Sequence, residues 1–553
     1  MAAYVRDLFT PEALDFRFAA KNNGEPLPYS RPSRWKSTEF YCYYFGFMVV
    51  PFFMFKSVYD VSQPSHPGYK HFESRLSPGW IPGRKFDNSD AQYSSFRENV
   101  PYLALLLVLH PLLRVTISAR DGFERRARFD LCFALVFLFA LHGLSALKIL
   151  IILTANYALA TQLPRDIVPI ATWVFNVAIL FANELCHGYP LPKGWFPFEG
   201  LIPRWEILFN ITVLRLIAYN FDYIWMLDRR SGSPLEKKRN AETTNERERV
   251  SSGALPSDFT FANYLSYTLY SPLYLAGPII NFNDYISQTR QRLPSINRER
   301  ITAYALRLGF CLLTMEILLH YFYVVALCAA KPNWNMYTPF QLSMLGYFHL
   351  HVIWLKLLLP WRFFRLWSLL DGIDPPENMA RCMSDNYSAL AFWRAWHRSF
   401  NRWVVRYIYV PLGGTSSSRI RSVRNYLAVF TFVALWHDIN LKLLIWGWLV
   451  VVFIAPEIIL RTVFAPGKFK GREEVYRVLA GLGAVGNILM MMTANLVGFA
   501  IGVDGLAGLV TALTETTQGR LFLPLACACL FIGAQIMFEV RESEYRRGLD
   551  LKC

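Results

Sequence analysis

Charged side chains are scarce in this chain, since Asp, Glu, Lys and Arg together make up 18% of its 553 residues. Hydrophobic residues make up 54% and aromatic residues 16%. This composition excludes a soluble multidomain protein and predicts a polytopic membrane protein. A net charge of +16 would indicate nucleic acid as a partner of a soluble protein. Here much of the positive charge lies in short loops between apolar runs, where positive-inside bias and anionic lipid explain it, and no nucleic acid is expected.

Several sequence patterns are also missing. The nine cysteines have no C-x-x-C spacing, so they predict neither a metal cluster nor a disulfide framework. No G-x-S-x-G elbow is present, which argues against a covalent serine hydrolase. No repeat with a period of about 20–50 residues is visible, which disfavours an inverted-repeat transporter. Residues 1–20 lack the uninterrupted apolar core of a cleaved signal peptide, so the first apolar span is expected to target the chain to the membrane.

Apolar runs alternate with polar segments along the chain and predict about ten to twelve membrane elements, at least two of them re-entrant. Residues 1–38 form a polar N-terminal arm, mobile or lying at the interface, and 39–227 form an N-terminal membrane half. Residues 228–258 are rich in Lys, Arg, Glu and Ser, and predict a disordered cytosolic loop. A second membrane half follows at 259–553, and it carries the motifs described below.

Three polar or broken segments occur among the apolar runs. Arg215 and Asp222 are two helical turns apart in the run 205–227, so both are expected to face the protein interior. Segment 270–282, Y-S-P-L-Y-L-A-G-P-I-I-N-F, has two prolines and a glycine and predicts a broken or re-entrant helix covered by protein. The glycine- and proline-containing segment 57–99 is consistent with a structured loop or a solvated linker.

Two histidines stand in the most unusual stretch, 392–440. His397 lies in the aromatic and basic run W-H-R-S-F-N-R-W, and His437 closes an apolar run that ends A-L-W-H. A single membrane histidine is more often a satisfied core residue, but ionisable groups at membrane depth are costly and imidazole is the usual base near neutral pH. We therefore identify His437 and His397 as candidate catalytic residues.

Basic and aromatic side chains around the histidines are candidates for substrate binding. Four arginines recur at four-residue spacing, and on one helix they would form a stripe for the phosphates of coenzyme A or of a lipid headgroup. The same stripe would equally suit an interfacial helix anchored on anionic lipid. The stripe consists of Arg394, Arg398, Arg402 and Arg406, and the other candidate substrate-binding residues are Asn401, Trp396 and Trp436.

These motifs resemble a known superfamily. The run W-H-R-S-F-N-R-W, followed by Y-I-Y-V-P-L-G-G and then A-L-W-H, is similar to the membrane-bound O-acyltransferase (MBOAT) superfamily, and the broken segment 270–282 fits it. The run G-R-K-F-D-N-S-D at 83–90, the segment 215–223 and the ending F-E-V-R-E at 538–542 resemble its fungal glycerol-uptake-protein branch, which is related to hedgehog acyltransferase. The resemblance covers about residues 40–545. It implies an all-α polytopic fold with re-entrant segments and a central catalytic tunnel.

The resemblance also implies roles for single residues. It makes His437 the principal catalytic residue and His397 the first catalytic position, which holds Asn, Asp or His in other branches. Many members have Gly after the second histidine, whereas this chain has Asp438, which puts the local turn in doubt. Cys382 resembles in its offset a cysteine that holds haem in the hedgehog branch, although palmitoylation or an inert thiol would explain it too. No metal ligand set is otherwise expected.

By this resemblance, the chain is expected to be an acyltransferase of the endoplasmic reticulum. It would move a long-chain fatty acyl group from acyl-coenzyme A to a lipid hydroxyl, that of lyso-phosphatidylinositol in a GPI anchor, with these lipids as its partners. The hydroxyl would attack the thioester directly, without an acyl-enzyme. A protein acceptor, as in hedgehog acylation, is a second interpretation. A glycerol or polyol transporter is a third, but the histidine pair would have no role in it.

Overall fold

The computed structural model describes residues 25–118, 122–190, 198–202, 204–228, 246–414, 419–437, 439 and 441–550. Its first half contains one two-stranded sheet and seven helices up to the end of the predicted loop. They are α1 (Thr38–Val61), β1 (Leu76–Pro78), β2 (Lys85–Asp87), α2 (Ala91–Ser118), α3 (Gly122–His142), α4 (Ser145–Gln162), α5 (Val168–Leu185), α6 (Trp205–Leu227) and α7 (Glu246–Ser252).

The described part of the second half contains α-helices joined by non-helical segments, with two short π-helical turns at Val405–Tyr409 and Leu496–Ala500. Its helices are α8 (Phe261–Thr268), α9 (Ser271–Tyr274), α10 (Phe282–Arg290), α11 (Arg298–Tyr321), α12 (Val324–Ala330), α13 (Pro339–Leu370), α14 (Ala389–Ala395), α15 (Arg398–Val404), α16 (Arg419–His437), α17 (Leu441–Val463), α18 (Glu473–Asn495), α19 (Gly502–Glu515) and α20 (Thr517–Arg546). The prediction of an all-α polytopic fold is confirmed.

Nine helices of the described chain are long and apolar enough to cross a membrane, namely α1, α2, α5, α6, α11, α13, α17, α18 and α20. One of the apolar runs in the sequence covers 130–159. It is divided between α3 and α4, which separate at Gly143, a residue with a φ of 54°. The longest of the nine, α13, begins with a capping box in which Thr338 and Gln341 satisfy each other's backbone amides. This capped start fixes where α13 begins.

The ends of the polar segment 57–99 belong to α1 and α2, and its residues 62–90 form a structured loop between these helices. Strands β1 and β2 pair antiparallel, with Ser77 opposite Phe86. The buried carboxylate of Asp87 then accepts hydrogen bonds from the backbone amides of Val325 and Ala326, at 3.1 and 2.9 Å. These two amides belong to the first turn of α12, whose free N–H groups need acceptors. The loop is therefore fixed to the second half of the chain.

The broken helix predicted at 270–282 is present and largely buried. The chain leaves helix after α8, forms the single turn α9, and runs non-helically over 275–281 before α10. The Arg215 guanidinium, buried in α6 as predicted, donates to the carbonyl oxygens of Thr268 and Leu273 at 2.9 and 2.6 Å. An apolar medium makes unpaired carbonyls costly, so Arg215 stabilises the break by satisfying two of them.

A second non-helical segment, 371–388, follows α13, and its residues 371–381 are all buried. Gln288 of α10 holds it by accepting from the Asp374 amide at 2.7 Å, and Arg365 of α13 donates to the Pro375 carbonyl at 2.9 Å. Arg365 also pairs with the carboxylates of Asp374 and Glu377 at 3.0 and 2.9 Å. The segment was not predicted from the sequence, because no periodicity marks it.

The described part of the N-terminal arm, 25–37, is fastened to the C-terminal end of the chain. The Leu27 amide donates to the Tyr545 carbonyl at 3.0 Å, and the Arg31 amide donates to the Glu542 carboxylate at 2.9 Å. Arg34 forms an ion pair with Glu474 of α18. Residues 25–37 are therefore bound to the protein instead of being mobile, and a position at the membrane interface stays a prediction. Residues 1–24 lie outside the described chain.

The predicted disordered loop at 228–258 is also shorter than expected. Residues 246–252 form α7, and a 3-10 turn follows at Pro256–Asp258. Arg249 is buried and pairs with the buried Asp284 of α10 at 2.7 Å. The charged composition suggested solvation, but these charges have partners inside the protein. Residues 229–245 lie outside the described chain, so disorder stays a prediction there.

Asp371, at the end of α13, is the centre of a buried ionic cluster. Its carboxylate is fully buried and pairs with Arg114 of α2 and, at 3.3 Å, with Arg126 of α3. The Tyr270 hydroxyl, between α8 and α9, donates to the same carboxylate. His110 Nδ1 lies 3.9 Å away. One carboxylate at the end of α13 therefore joins α2, α3 and α13 to the broken segment.

We expect Asp371→Asn to destabilise the protein strongly. Removing one partner of a buried ion pair leaves uncompensated charge, which costs about 3–5 kcal/mol. Detergent-purified protein would be unfolded by denaturant and the free energy of unfolding compared with wild type. Asp60→Asn is the matched control, because Asp60 pairs with Lys56 at the surface, where such a pair contributes about 0–1 kcal/mol. Equal losses in the two variants would contradict the central role of Asp371.

Candidate active site

His397 stands at a sharp break between two short helices. α14 ends at Ala395, Trp396 is extended, and His397 has a φ of 45° and a ψ of 52° before α15 begins at Arg398. A left-handed backbone is uncommon for any residue other than glycine, and such conformations persist only where the surroundings enforce them. The break therefore needs external contacts that hold it.

Asn378, in the buried segment 371–388, supplies two of these contacts. Its carbonyl oxygen accepts from the Arg398 amide at 3.0 Å, and its side-chain oxygen accepts from the Ser399 amide at 3.2 Å. The Ser399 hydroxyl in turn accepts from the Ile279 amide of the other non-helical segment at 2.9 Å. The backbone around His397 is thus fastened to both buried non-helical segments.

His437 is the last residue of α16, and its neighbour Trp436 anchors it. The indole N–H of Trp436 donates to the Asn210 carbonyl at 2.8 Å, and the Asn210 side-chain amide donates to the Trp436 carbonyl at 3.3 Å. Asn210 belongs to α6, the helix that also carries Arg215 and Asp222. This reciprocal pair fixes the end of α16, and with it His437, against a largely buried helix.

Aromatic rings bring the two histidines to one place. The Phe400 ring centroid lies 5.2 Å from that of His397 and 6.5 Å from that of His437. Trp436 lies 6.1 and 4.8 Å from the same two imidazoles. On its other side His397 stacks on Trp361 of α13, at 4.4 Å and 21°. Residues 40 positions apart in the sequence therefore share one aromatic environment.

The two imidazoles are open to a ligand. His397 is half-buried and His437 is exposed. Within the described residues, neither ring makes a hydrogen bond to the protein, so their nitrogens can accept or donate protons to a substrate. This arrangement can supply a base and a second polar group at one reacting centre, as acyl transfer requires.

The predicted arginine stripe is wrong. Arg394 lies on α14, and the break at His397 separates it from the arginines of α15 and the π-helical turn. Arg402 pairs with Glu246 of α7, and Arg406 pairs with Asp222 at 2.9 Å. The charges of these two arginines are therefore compensated within the protein. Sequence spacing could not indicate this, because both acidic partners are more than 150 positions away.

The other predicted binding residues lie around the site with different exposures. Arg394 is exposed and Arg398 is buried. Asn401 is half-buried, and its backbone N–H donates to the His397 carbonyl oxygen at 3.0 Å. Trp396 packs against Phe392, with ring centroids 5.4 Å apart. Binding by these residues stays a prediction.

Three positions that the sequence did not single out complete the site, namely Asn210, Trp361 and Asn378. None stands in a recognisable motif, and the polar side chains of Asn210 and Asn378 act through backbone groups. Cys382 is half-buried and packs against the main hydrophobic core. Among the described residues no three His, Cys, Asp or Glu side chains gather as a metal site. Haem at Cys382 stays a prediction.

Comparison with known proteins identifies the family. The family model described as "MBOAT, membrane-bound O-acyltransferase family" matches residues 167–503, which include both histidines. The chain belongs to the membrane-bound O-acyltransferase family. It is similar to the membrane-bound O-acyltransferase GUP1 of Candida tropicalis, at 46% identity over 99% of this chain and 95% of that protein. The GUP1 protein of Saccharomyces cerevisiae is 45% identical over 99% and 98% of the two chains.

More distant similarity extends to protein acylation. The mouse protein-cysteine N-palmitoyltransferase HHAT is 29% identical over 281 residues, about half of each chain. The family model and the similarity to the two GUP1 proteins show that the protein is a membrane-bound acyltransferase of the GUP1 type, as the resemblance of its motifs predicted.

Substitutions of His397 should separate its backbone role from its side-chain role. A left-handed residue with a Cβ costs about 1–2 kcal/mol, which glycine avoids and asparagine tolerates. We expect H397G and H397N to unfold at temperatures no lower than H397A. Acyl transfer should follow the side chain instead, with H397N more active than H397A or H397G, because only Asn keeps a hydrogen-bonding group.

Thermal unfolding and acyl-transfer turnover would be measured on the same detergent-purified samples. If H397A were the most stable of the three variants, the left-handed conformation of His397 would not hold in the folded protein.

Proposed function

We propose that this acyltransferase moves a long-chain fatty acyl group from acyl-coenzyme A to a hydroxyl of a membrane lipid, the lyso-phosphatidylinositol part of a GPI anchor. The observation that carries the proposal is the convergence of His397 and His437 on one aromatic environment, with neither imidazole bound to another protein group in the described chain. The donor, the acceptor and a location in the endoplasmic reticulum are inferred from the resemblance to the fungal branch.

His437 is assigned the role of general base. It lies at the exposed end of α16, so an acceptor hydroxyl can reach its ring without displacing packed side chains. The imidazole takes the proton of the hydroxyl as the oxygen attacks the thioester carbonyl. A bond between carbon and oxygen forms, the bond between carbon and sulfur breaks, and the proton passes to the thiolate. The transfer is direct and has no acyl-enzyme intermediate.

His397 is assigned the role of positioning or polarising the acyl carbonyl. Its stacking on Trp361 and the left-handed break fix the direction of its ring, and fixed donors are more effective at a developing negative charge than mobile ones. The aromatic lining lowers the local dielectric, which strengthens such interactions. A tunnel that joins the donor and acceptor sides of the bilayer stays part of the proposal.

The acceptor class has two candidates. The long, high-identity similarity to GUP1 proteins favours the lipid acceptor of that branch, whereas the partial similarity to mouse HHAT favours a protein acceptor. Acyl transfer is therefore to be measured both with a lyso-phosphatidylinositol acceptor and with a peptide acceptor. The lipids of a deletion strain provide an independent measurement, since accumulated lyso-GPI would indicate the lipid acceptor.

We expect His437→Ala to abolish acyl transfer while the protein still folds, because loss of a general base costs about 100- to 10,000-fold in rate. The two histidines act as one unit, so the double variant with His397→Ala should be little worse than His437→Ala alone. Acyl-coenzyme A consumption would be measured with purified protein and a lyso-phosphatidylinositol acceptor. Glycerol flux in proteoliposomes would be measured in parallel.

Near-wild-type turnover of His437→Ala would contradict its role as the base. Glycerol flux that depends on His397, with no acyl transfer to any lipid or peptide acceptor, would instead indicate the transporter and overturn the enzyme reading.

We also expect the loop 228–258 to face the cytosol, because it is long, highly charged and flanked by basic spans. Protease added to sealed microsomes should cleave a recognition site inserted there. Cleavage after detergent permeabilisation is the internal control for exposure of the site. Cleavage only after permeabilisation would invert the orientation, and with it the side from which the donor enters.

A further inference from the structure

A second arrangement of reactive side chains lies away from the histidine pair. The segment 371–388 passes beside α13. Its residue Ser384 lies next to Tyr347 and His351 of that helix. The Ser384 Oγ atom is 2.5 Å from Nε2 of His351 and 2.9 Å from the Tyr347 hydroxyl. His351 precedes Trp361, the residue stacked on His397, by ten positions, or about 15 Å of helix. The two sites are therefore distinct.

The directions of the hydrogen bonds around Ser384 follow from their partners. Nδ1 of His351 lies 2.8 Å from the Tyr347 carbonyl oxygen, which can only accept, so Nδ1 carries the proton of the neutral ring. Nε2 is then the unprotonated nitrogen and accepts from the Ser384 hydroxyl. The Tyr347 hydroxyl in turn donates to Ser384 Oγ. A serine that donates to an imidazole oriented by a third group is the arrangement of an activated nucleophile.

The surroundings of Ser384 suit a lipophilic reagent. Ser384 is exposed and His351 is half-buried. The neighbouring Phe348 ring lies 6.2 Å from His351 and 5.0 Å from Phe55 of α1, and Phe55 is 48% exposed on a helix long enough to cross a membrane. An apolar path of aromatic rings thus connects the serine with the outer face of α1, where an acyl chain can lie.

We propose that Ser384 is a base-activated nucleophile that accepts an acyl group from a long-chain acyl thioester, which makes it a self-acylation site of this protein. Ser384 Oγ forms an ester bond with the acyl carbon as the bond between carbon and sulfur breaks. The hydroxyl proton moves to Nε2 of His351 and then to the leaving thiolate, which departs as a free thiol. The acyl chain then lies on the exposed apolar surface around Phe55, which packs on the buried ring of Phe348.

Only the identity of the thioester rests on the proposed function, because acyl-coenzyme A is the donor assumed there. The nucleophilic character of Ser384 does not depend on that donor. A fluorophosphonate probe with an alkyl chain reacts with base-activated serines, so it tests the nucleophile even if the protein uses no acyl-coenzyme A.

The experiment treats full-length, detergent-purified protein with the alkyl fluorophosphonate and, separately, with palmitoyl-coenzyme A, and maps the adducts by mass spectrometry. We expect both reagents to modify Ser384, with an oxyester in the second case that resists neutral hydroxylamine and is cleaved by alkaline hydroxylamine. Ser343 is the matched control within the same digest, because it lies on α13, the helix that carries His351, but its hydroxyl donates to the Pro339 carbonyl at 2.8 Å and not to an imidazole. It should stay unmodified.

Three variants test the mechanism. Ser384→Ala should lose both adducts, and His351→Gln, which keeps a hydrogen-bonding group but is no base, should label at least 10-fold more slowly. His437→Ala should label Ser384 at the wild-type rate. Thermal unfolding of each variant verifies that it is folded.

Several outcomes would overturn the proposal. They are an unmodified Ser384 in folded wild-type protein, wild-type labelling rates in folded His351→Gln, or an acyl ester that is lost in His437→Ala and kept in His351→Gln. The last result would show that the histidine pair acylates Ser384. Fluorophosphonate labelling without acyl transfer to any acceptor would support the nucleophile while the proposed function failed, so the two failures are distinguishable.

Discussion

Backbone polar groups that leave helical geometry inside a membrane protein must find partners within the protein, and the rest of this structure depends on that constraint. Two buried or partly buried segments, 275–281 and 371–388, are not helical. Arg215 satisfies carbonyls beside the first, and Gln288 and Arg365 satisfy backbone groups of the second. The break at His397 then uses both segments as its own partners, through Asn378 and Ile279. The candidate active site therefore depends on two non-helical segments, which are themselves held in place by buried side chains.

Charge serves the same end in the interior. The Asp371 cluster and the pairs of Arg365 lie where non-helical chain meets the long helix α13, and the pair of Arg249 and Asp284 joins the short helices α7 and α10. Buried ion pairs gain little net stability over apolar packing, but removing one partner is costly. Such pairs therefore specify one arrangement of the segments more than they strengthen it. For His397, a candidate catalytic residue held in a left-handed conformation, a single arrangement matters, because in the proposed role a small displacement of the imidazole would move it away from the reacting atoms.

Much of the architecture could be predicted from the sequence, because it rests on local patterns. Long apolar runs indicated the membrane helices, the prolines and glycine of 270–282 indicated a broken helix, and the spacing of Arg215 and Asp222 indicated burial on one face of α6. The predictions failed where distant partners decide the outcome. The arginines of α15 and its extension pair with Glu246 and Asp222, and α7 is ordered through Asp284. The convergence of His397 and His437 was expected from the family resemblance, whereas the parts played by Asn210 and Asn378 involve backbone groups and leave no trace in residue type.

The contact between the N-terminal arm and the end of α20 has a consequence for biosynthesis. The described part of the arm is synthesised before all the described helices, but Glu542 and Tyr545, which bind Arg31 and Leu27, lie at the end of α20, the last of those helices. Domains and their parts fold during synthesis from the N-terminal end. The arm therefore has no partners while the preceding helices are being made. Its docking can follow only after α20 has been synthesised, so this contact joins the first described part of the chain to a late stage of folding.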